Sequence, residues 1–369
     1  MLDVLIVVSS DPRYDTRSTK FLNSLLATGF KSRIVGISID GSSEHTDQLV
    51  RLPTRARSGK KFFFDFYRNV IPEARRTQAK LVIAGDLFAL PPALAAKNSG
   101  SRAGLSSRLI YDSKELYREL PSLKRRRSSF LFWDFIENRS IRKVDSVITV
   151  NQSISEALEA RWHLPTTVVM NVPDSRPMRP ETPRSLDKIL LAFSGGLQPG
   201  RGLHNLVRLL TFLPEKYELR IIGDGNLRPE LENQAKMLRL GNRIHFSGRV
   251  RSSEVVNELS KCHLGVYLME NTGLCHYLAL PNKLFQFISA AIPVIVPNFP
   301  EMDRIVRTYS VGRTVDPANL DEAAKTIVEM TSRRETYDGF VANCVNASSE
   351  LNWQVEKEKF LRVVSGLIK

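Results

Sequence analysis

Short, strand-like apolar runs alternate with helix-period stretches along almost all of this 369-residue chain, and they do so in two series separated by a proline-rich break. In the first series the strand-like runs are DVLIVVS (3–9), SRIVGIS (32–38), KLVIAG (80–85), SRLIYDS (107–113) and SVITVN (146–151), with helical patterns such as 17–28, 129–142 and 152–161 between them. The second series is KILLAFSG, YELRIIGDG, RIHFSG, LGVYL, IPVIVP and VGRTV, ending in the amphipathic LNWQVEKEKFLRVVSGLI. Continuously apolar strands separated by helices require parallel sheets built from βαβ units. The expected fold is therefore α/β, with two doubly wound, Rossmann-like parallel-sheet domains at 1–172 and 188–345. An exposed linker at 173–187 joins them, and a C-terminal helix over 346–369 packs back on the first. The carboxyl ends of the two sheets, where such sheets bind ligands, are expected to face a common cleft.

Composition narrows the partners. With 42% apolar residues the chain fills two cores and is not disordered. No apolar run reaches the roughly 18 residues of a membrane span, and MLDVLIVVSSD reads as a buried first strand, not a signal peptide. Cys262, Cys275 and Cys344 are spaced for neither a metal site nor a disulfide framework, which predicts a cytoplasmic protein. Of the net charge of +14, residues 1–180 carry most, with 29 Lys+Arg against 18 Asp+Glu. The cations cluster around aromatics in two blocks, KKFFFDFYR with Lys60 and Lys61, and KRRRSSFLFWDF with Lys124, Arg125, Arg126 and Arg127. Such a mixture suits an anionic bilayer, here the inner face of the plasma membrane; the plainer reading is ordinary helix faces with solvated charges. No recognised nucleic-acid module accompanies the charge, so nucleic acid is not an expected partner.

Two segments carry chemistry. FSGGLQPGRGLHNL (193–206) ends a strand and opens a helix with Gly195 and Gly196, offering backbone N–H groups to a phosphate, with Arg201 beside them. The plainer alternative is a tight turn with a surface arginine. In LALPNKLFQFISAAIPVIVP (278–297), Asn282 is expected to cap a helix whose Leu284, Phe285 and Ile288 face the core. Lys283 would project from the first turn, where the helix dipole disfavours a cation unless an anion neutralises both; otherwise it is a solvated lysine. Gln286 lies one turn along. IIGDGNLRPEL has Arg228 where a dinucleotide loop has its third glycine, so Asp224 reads as a turn or cap residue.

In order and spacing, DPRYDTR, GDLFALPPALAA (85–96), LIYDSKELYREL (109–120), VDSVITVNQSISEAL (144–158), SGGLQPGRGL, IIGDG, HFSGRV and ALPNKLFQFISAAIPVIVPNFPEM resemble the retaining GT-B glycosyltransferases of family 4. The likeness covers nearly the whole chain. It implies a nucleotide-sugar donor in the C-terminal domain and a glycan or lipid-linked acceptor in the N-terminal one. It also implies that Arg201 and Lys283 hold the diphosphate, that Gly195, Gly196, Gly223, Arg249 and Asn282 complete the donor site, and that the residue in Gln286's place holds the ribose. Three positions depart from the family pattern: Gln286 stands for Glu, Lys114 for His, and Ala291 for Gly.

A departing nucleoside diphosphate gathers negative charge, which preorganised cations stabilise without a general acid. The sequence has no DxD triplet, and the reading invokes no metal and no cofactor. The expected catalytic residues are Asp86, Lys114, Arg201 and Lys283, with Arg17 as reinforcement on the acceptor side. Asp86 touches the sugar or acceptor hydroxyl, or else stabilises its own loop. Glu115 and Glu301 stand between catalysis and buried structure. The expected function is retaining transfer of a hexosyl or N-acetylhexosaminyl group to a polysaccharide or lipid-linked glycan. The alternatives are a noncatalytic subunit of the same fold and a nucleotide-sugar epimerase.

Overall fold

The computed structural model describes residues 1–56, 58–102, 104–174 and 185–368, so most of the linker expected at 173–187 lies outside the described residues. The chain divides into two compact units, Met1–Asn171 with Glu356–Lys369, and Val172–Val355.

In the first unit, strands β1 (Leu2–Val7), β2 (Ser32–Ser38), β3 (Glu44–His45), β4 (Leu49–Pro53), β5 (Ala79–Ala84), β6 (Arg108–Ser113), β7 (Ser146–Thr149) and β8 (Thr166–Val168) form a sheet of order β3-β4-β2-β1-β5-β6-β7-β8. Every pairing is parallel except β3 with β4. Helices α1 (Thr16–Ala27), α2 (Gly59–Arg76), α3 (Leu90–Arg102), α4 (Pro121–Lys124), α5 (Arg127–Ile141) and α6 (Gln152–Trp162) cover it. β1 is apolar without alternation because Val4 to Val8 have no solvent contact. α1 begins where Asp15 accepts the Ser18 amide, a side-chain N-cap.

In the second unit, β9 (Ile189–Ser194), β10 (Tyr217–Ile222), β11 (Ile244–Gly248), β12 (Leu264–Val266), β13 (Val294–Pro297) and β14 (Gly312–Val315) form a parallel sheet of order β11-β10-β9-β12-β13-β14. Its helices are α7 (Leu203–Leu209), α8 (Arg228–Met237), α9 (Val255–Ser260), α10 (Leu274–Tyr277), α11 (Asn282–Ser289), α12 (Pro300–Tyr309), α13 (Leu320–Ser332) and α14 (Arg334–Glu350). The stretch expected as one helix from 346 is instead the end of α14 and a separate α15 (Trp353–Leu367). Asn352 breaks it by accepting the Val355 amide at the new N-terminus. The division between the units falls inside α15, and Phe360 then stacks on Phe21 of α1, with ring centroids 4.0 Å apart. Among the described residues no helix is long and apolar enough to cross a membrane.

Apart from the antiparallel edge strand β3, both strand orders reverse direction once, between β1 and β5 in one sheet and between β9 and β12 in the other. The carboxyl ends of the strands flanking such a reversal leave a crevice, the place where doubly wound sheets take ligands.

Candidate functional site

In the second unit that crevice is lined by the turn after β9 and the residues after β12. Ser194 ends β9, and Gly195 follows with φ 129°, its amide bonded to the Ile222 carbonyl at 2.8 Å. A Cβ built on Gly223 would stand 1.9 Å from the Gly195 oxygen, so the two glycines let the turns after β9 and β10 touch backbone to backbone.

Lys283 is not the solvated lysine of the alternative reading. Its side chain does not project from α11 into solvent; it is 8% exposed, with Nζ 5.4 Å from the Phe193 ring centre and 5.1 Å from that of Tyr267. Burial, reinforced by the positive charge of Arg201, pulls its pKa down to about 7. Burial pushes the Tyr267 hydroxyl's pKa up and the nearby Arg201 charge opposes it, so both cations lie at the β9–β12 crevice. Neither forms an ion pair with a carboxylate of the described residues, an arrangement that favours an incoming anion.

Gln286, one turn along from Lys283, accepts the Ser194 hydroxyl through Oε1 at 3.2 Å. Asn282 does not cap α11 as expected: Pro281 holds the N-cap position without a side-chain bond, and Asn282 is exposed at the first helical residue. Leu284, Phe285 and Ile288 are buried as expected. Past the helix, Ala291 takes the left-handed conformation, φ 51°, while Ile292 and Ala291 donate to the Phe287 and Ile288 carbonyls at 3.1 and 3.0 Å. That is a Schellman turn, in which glycine is the usual residue. Gly196 follows Gly195 in the turn; Arg249 is mostly exposed, its Nε 4.0 Å from Asp224, whose other oxygen accepts the Gly225 amide.

The first unit's crevice collects a different set. Asp86 is buried; it accepts Ser9 N and Oγ at 3.2 and 2.8 Å and caps the short helix Leu87–Ala89 through the Ala89 amide at 2.8 Å. Burial pushes its carboxyl pKa up, and the Lys114 charge and these bonds only partly oppose that. Lys114 donates to Asp15 at 2.9 Å. Burial pushes the Asp15 carboxyl up as well, but Lys114, the Ser18 amide and Ser10 outweigh it and hold it below the usual carboxylate range. Ser18 Oγ, the one buried side-chain polar atom without a partner among the described residues, lies beside Gly85.

Arg17 is not part of this set. It is buried in a bidentate pair with Asp112, Nε–Oδ2 2.8 Å and Nη2–Oδ1 2.8 Å, and donates to the Val169 carbonyl, so its role is in the core and not on the acceptor side. Glu115 is exposed, and Glu301 is buried against Arg304 at 2.6 Å. Lys60, Lys61 and Lys124 to Arg127 are exposed, remote in sequence from both crevices. Sequence reasoning missed Phe193, Tyr267, Ser9 and Asp15. Phe193, Tyr267 and Ser9 sit inside strand patterns, and Asp15 lies in the DPRYDTR segment, where nothing local assigns it a partner.

Two doubly wound units, the second with a glycine turn and a cation pair at its crevice, define the GT-B architecture. Residues 174–344 match the model of the family Glycosyl transferases group 1. Sucrose-phosphate synthase from Thermosynechococcus elongatus has a similar structure, with TM-score 0.80 and 15% identity over 99% of each chain. So does HepE from Anabaena in complex with UDP and glucose, with TM-score 0.75 and 15% identity over 99% of this chain and 100% of that one. WaaG, a glycosyltransferase involved in lipopolysaccharide biosynthesis, matches with TM-score 0.71 and 12% identity over 98% of this chain and 100% of the other. A sequence search of curated proteins returns no match.

Proposed function

We propose that this chain transfers a sugar from a nucleoside diphosphate to a hydroxyl of a polysaccharide or lipid-linked glycan, in the cytoplasm, with retention at the anomeric carbon. The observation that carries the reading is the pairing of Lys283 with Arg201, two cations without a carboxylate partner at the β9–β12 crevice, one of them buried. Like charges held together in a poorly solvated site are costly until an anion joins them, and a diphosphate supplies that anion. As the bond from the sugar to the diphosphate breaks, negative charge grows on the phosphate oxygens, and the two cations with the Gly195–Gly196 turn are in place to meet it. The reading asks for no metal, since these cations supply the countercharge. Ser194 and Gln286 belong to the ribose in this scheme. Asp86, with its raised pKa, and Lys114 serve the acceptor in the first unit. The HepE structure with UDP and glucose makes a uridine nucleotide the first donor to try.

Calorimetric titration of the purified chain with UDP, GDP, ADP and dTDP, with and without Mg²⁺, tests this. Binding of one nucleotide without metal, lost in Lys283→Ala, is the expected result. Absence of binding by all four would overturn the donor site and favour a noncatalytic subunit.

A further inference from the structure

The two basic-aromatic blocks of the first unit meet through one aromatic joint. Phe63 in the second turn of α2 and Trp133 in the second turn of α5 have ring centroids 5.0 Å apart, and Phe88 packs on them at 5.0 and 4.7 Å. Trp133 is buried in this joint, through which the second turns of α2 and α5 touch. The first turns of the two helices and the residues before α5 carry Lys60, Lys61, Arg125, Arg126 and Arg127, all exposed and none in an ion pair among the described residues. Of the nearby acids, Asp134 is compensated by Arg161 at 2.7 Å and Glu119 by Lys124, while Asp65 accepts the Arg55 amide.

Beside the joint, the neighbours of the buried rings remain in solvent. Phe64 is 65% exposed, Leu131 56%, Phe132 53% and Phe135 64%. Leu131, Phe132 and Phe135 stand at i, i+1 and i+4, so they form one stripe on α5. A recess of about 570 Å³ lined by Arg55, Ala56, Lys60, Lys61, Phe64 and Asp65 lies at the start of α2.

We propose that α2 and the α4–α5 stretch form a single docking face for an anionic lipid bilayer, with Phe64, Leu131, Phe132 and Phe135 inserted at the head-group boundary and the five unpaired cations on lipid phosphates. Apolar side chains ringed by uncompensated cations match the two layers of such a boundary, acyl chains below and negative head groups above. A second copy of this chain fits less well, because a two-fold contact through this patch sets cations against cations. The proposal uses no residue of the donor site, so it stands or falls apart from the proposed reaction.

Vesicle sedimentation of the full chain tests it, with phosphatidylcholine alone against phosphatidylcholine containing phosphatidylglycerol. The unmodified chain is expected to pellet with the anionic vesicles only, and less so as salt rises. Arg125→Ser with Arg126→Ser and Arg127→Ser is expected to weaken partition about fivefold per cation. Phe64→Ser with Phe132→Ser and Phe135→Ser is expected to abolish pelleting, with the melting temperature unchanged or higher because these side chains are exposed. Equal binding to both vesicle types, no binding to either, or unchanged binding in either triple variant would overturn the proposal. So would light scattering that finds a dimer dispersed by the same substitutions.

Discussion

The Nζ of Lys283 occupies the space that a side chain at position 195 would need, since a Cβ built on Gly195 would lie 2.5 Å from that nitrogen and 2.7 Å from Cε. Gly195→Ala must therefore displace the lysine, and at φ 129° it also strains the backbone. We expect transfer activity to fall about 100-fold or more and nucleotide affinity to fall with it, as for removal of one preorganised charge donor. Calorimetry with circular-dichroism melts separates the two effects; full affinity in a folded variant would contradict the placement of Lys283.

The depressed pKa of Lys283, about 7 against an ordinary 10.5, has a thermodynamic consequence. Between those values the unfolded chain holds a proton that the folded chain has released, so stability rises with pH across the window and is lost as pH falls towards 7. The rise is of order a few kcal/mol, and Lys283→Met should remove it from urea unfolding curves. Conversely, a bound diphosphate raises the lysine pKa, so titration at about pH 8 in buffers of different ionisation enthalpy should show uptake of close to one proton.

Gln286→Glu exchanges an amide for a carboxylate one turn from Lys283. If position 286 holds the ribose diol, nucleotide affinity should rise roughly tenfold through charge-assisted hydrogen bonds. The same change should leave affinity for inorganic pyrophosphate, which has no ribose, much less affected.

Arg17→Met leaves Asp112 charged and buried, which should cost about 3 to 5 kcal/mol in chemical denaturation. Adding Asp112→Leu should recover much of the loss. Nucleotide binding, assigned to the other unit, should persist in whatever fraction stays folded.

Ala291→Gly removes the Cβ from a left-handed residue that already makes both Schellman hydrogen bonds. A gain of about 1 kcal/mol is expected from thermal melts, since nothing else in the turn changes.

Strands were legible wherever apolar residues ran unbroken, as in β1, β5, β9 and β13. β4 was not, because its pattern contains Arg51 and ends in Pro53; the arginine is buried there by Asp11, which lies 40 residues away and accepts from it at 2.9 and 2.7 Å. Arg17 failed for the same reason, its partner Asp112 being 95 residues distant. A local pattern shows that a cation exists and says nothing of which carboxylate the fold delivers to it. The candidate site divides similarly. Arg201, Lys283 and the glycines stood out by residue type and turn spacing, whereas the burial of Lys283 depends on Phe193 from β9 and Tyr267 just past β12. Asn282 misled because capping residues are recognised by type, and here the proline before it holds the cap position.

The stacking of Phe360 on Phe21 also sets an order of events. A chain made from its N-terminus exposes residues 1–171 first, yet that unit lacks its closing segment until residues 356–367 have been synthesised, after the whole of the second unit. The second unit, contiguous in sequence, can complete its core while the first still waits. A nascent chain stalled short of Phe360 would thus hold a finished second unit beside a first one whose Phe21, on α1, lacks its stacking partner, the kind of surface that chaperones engage.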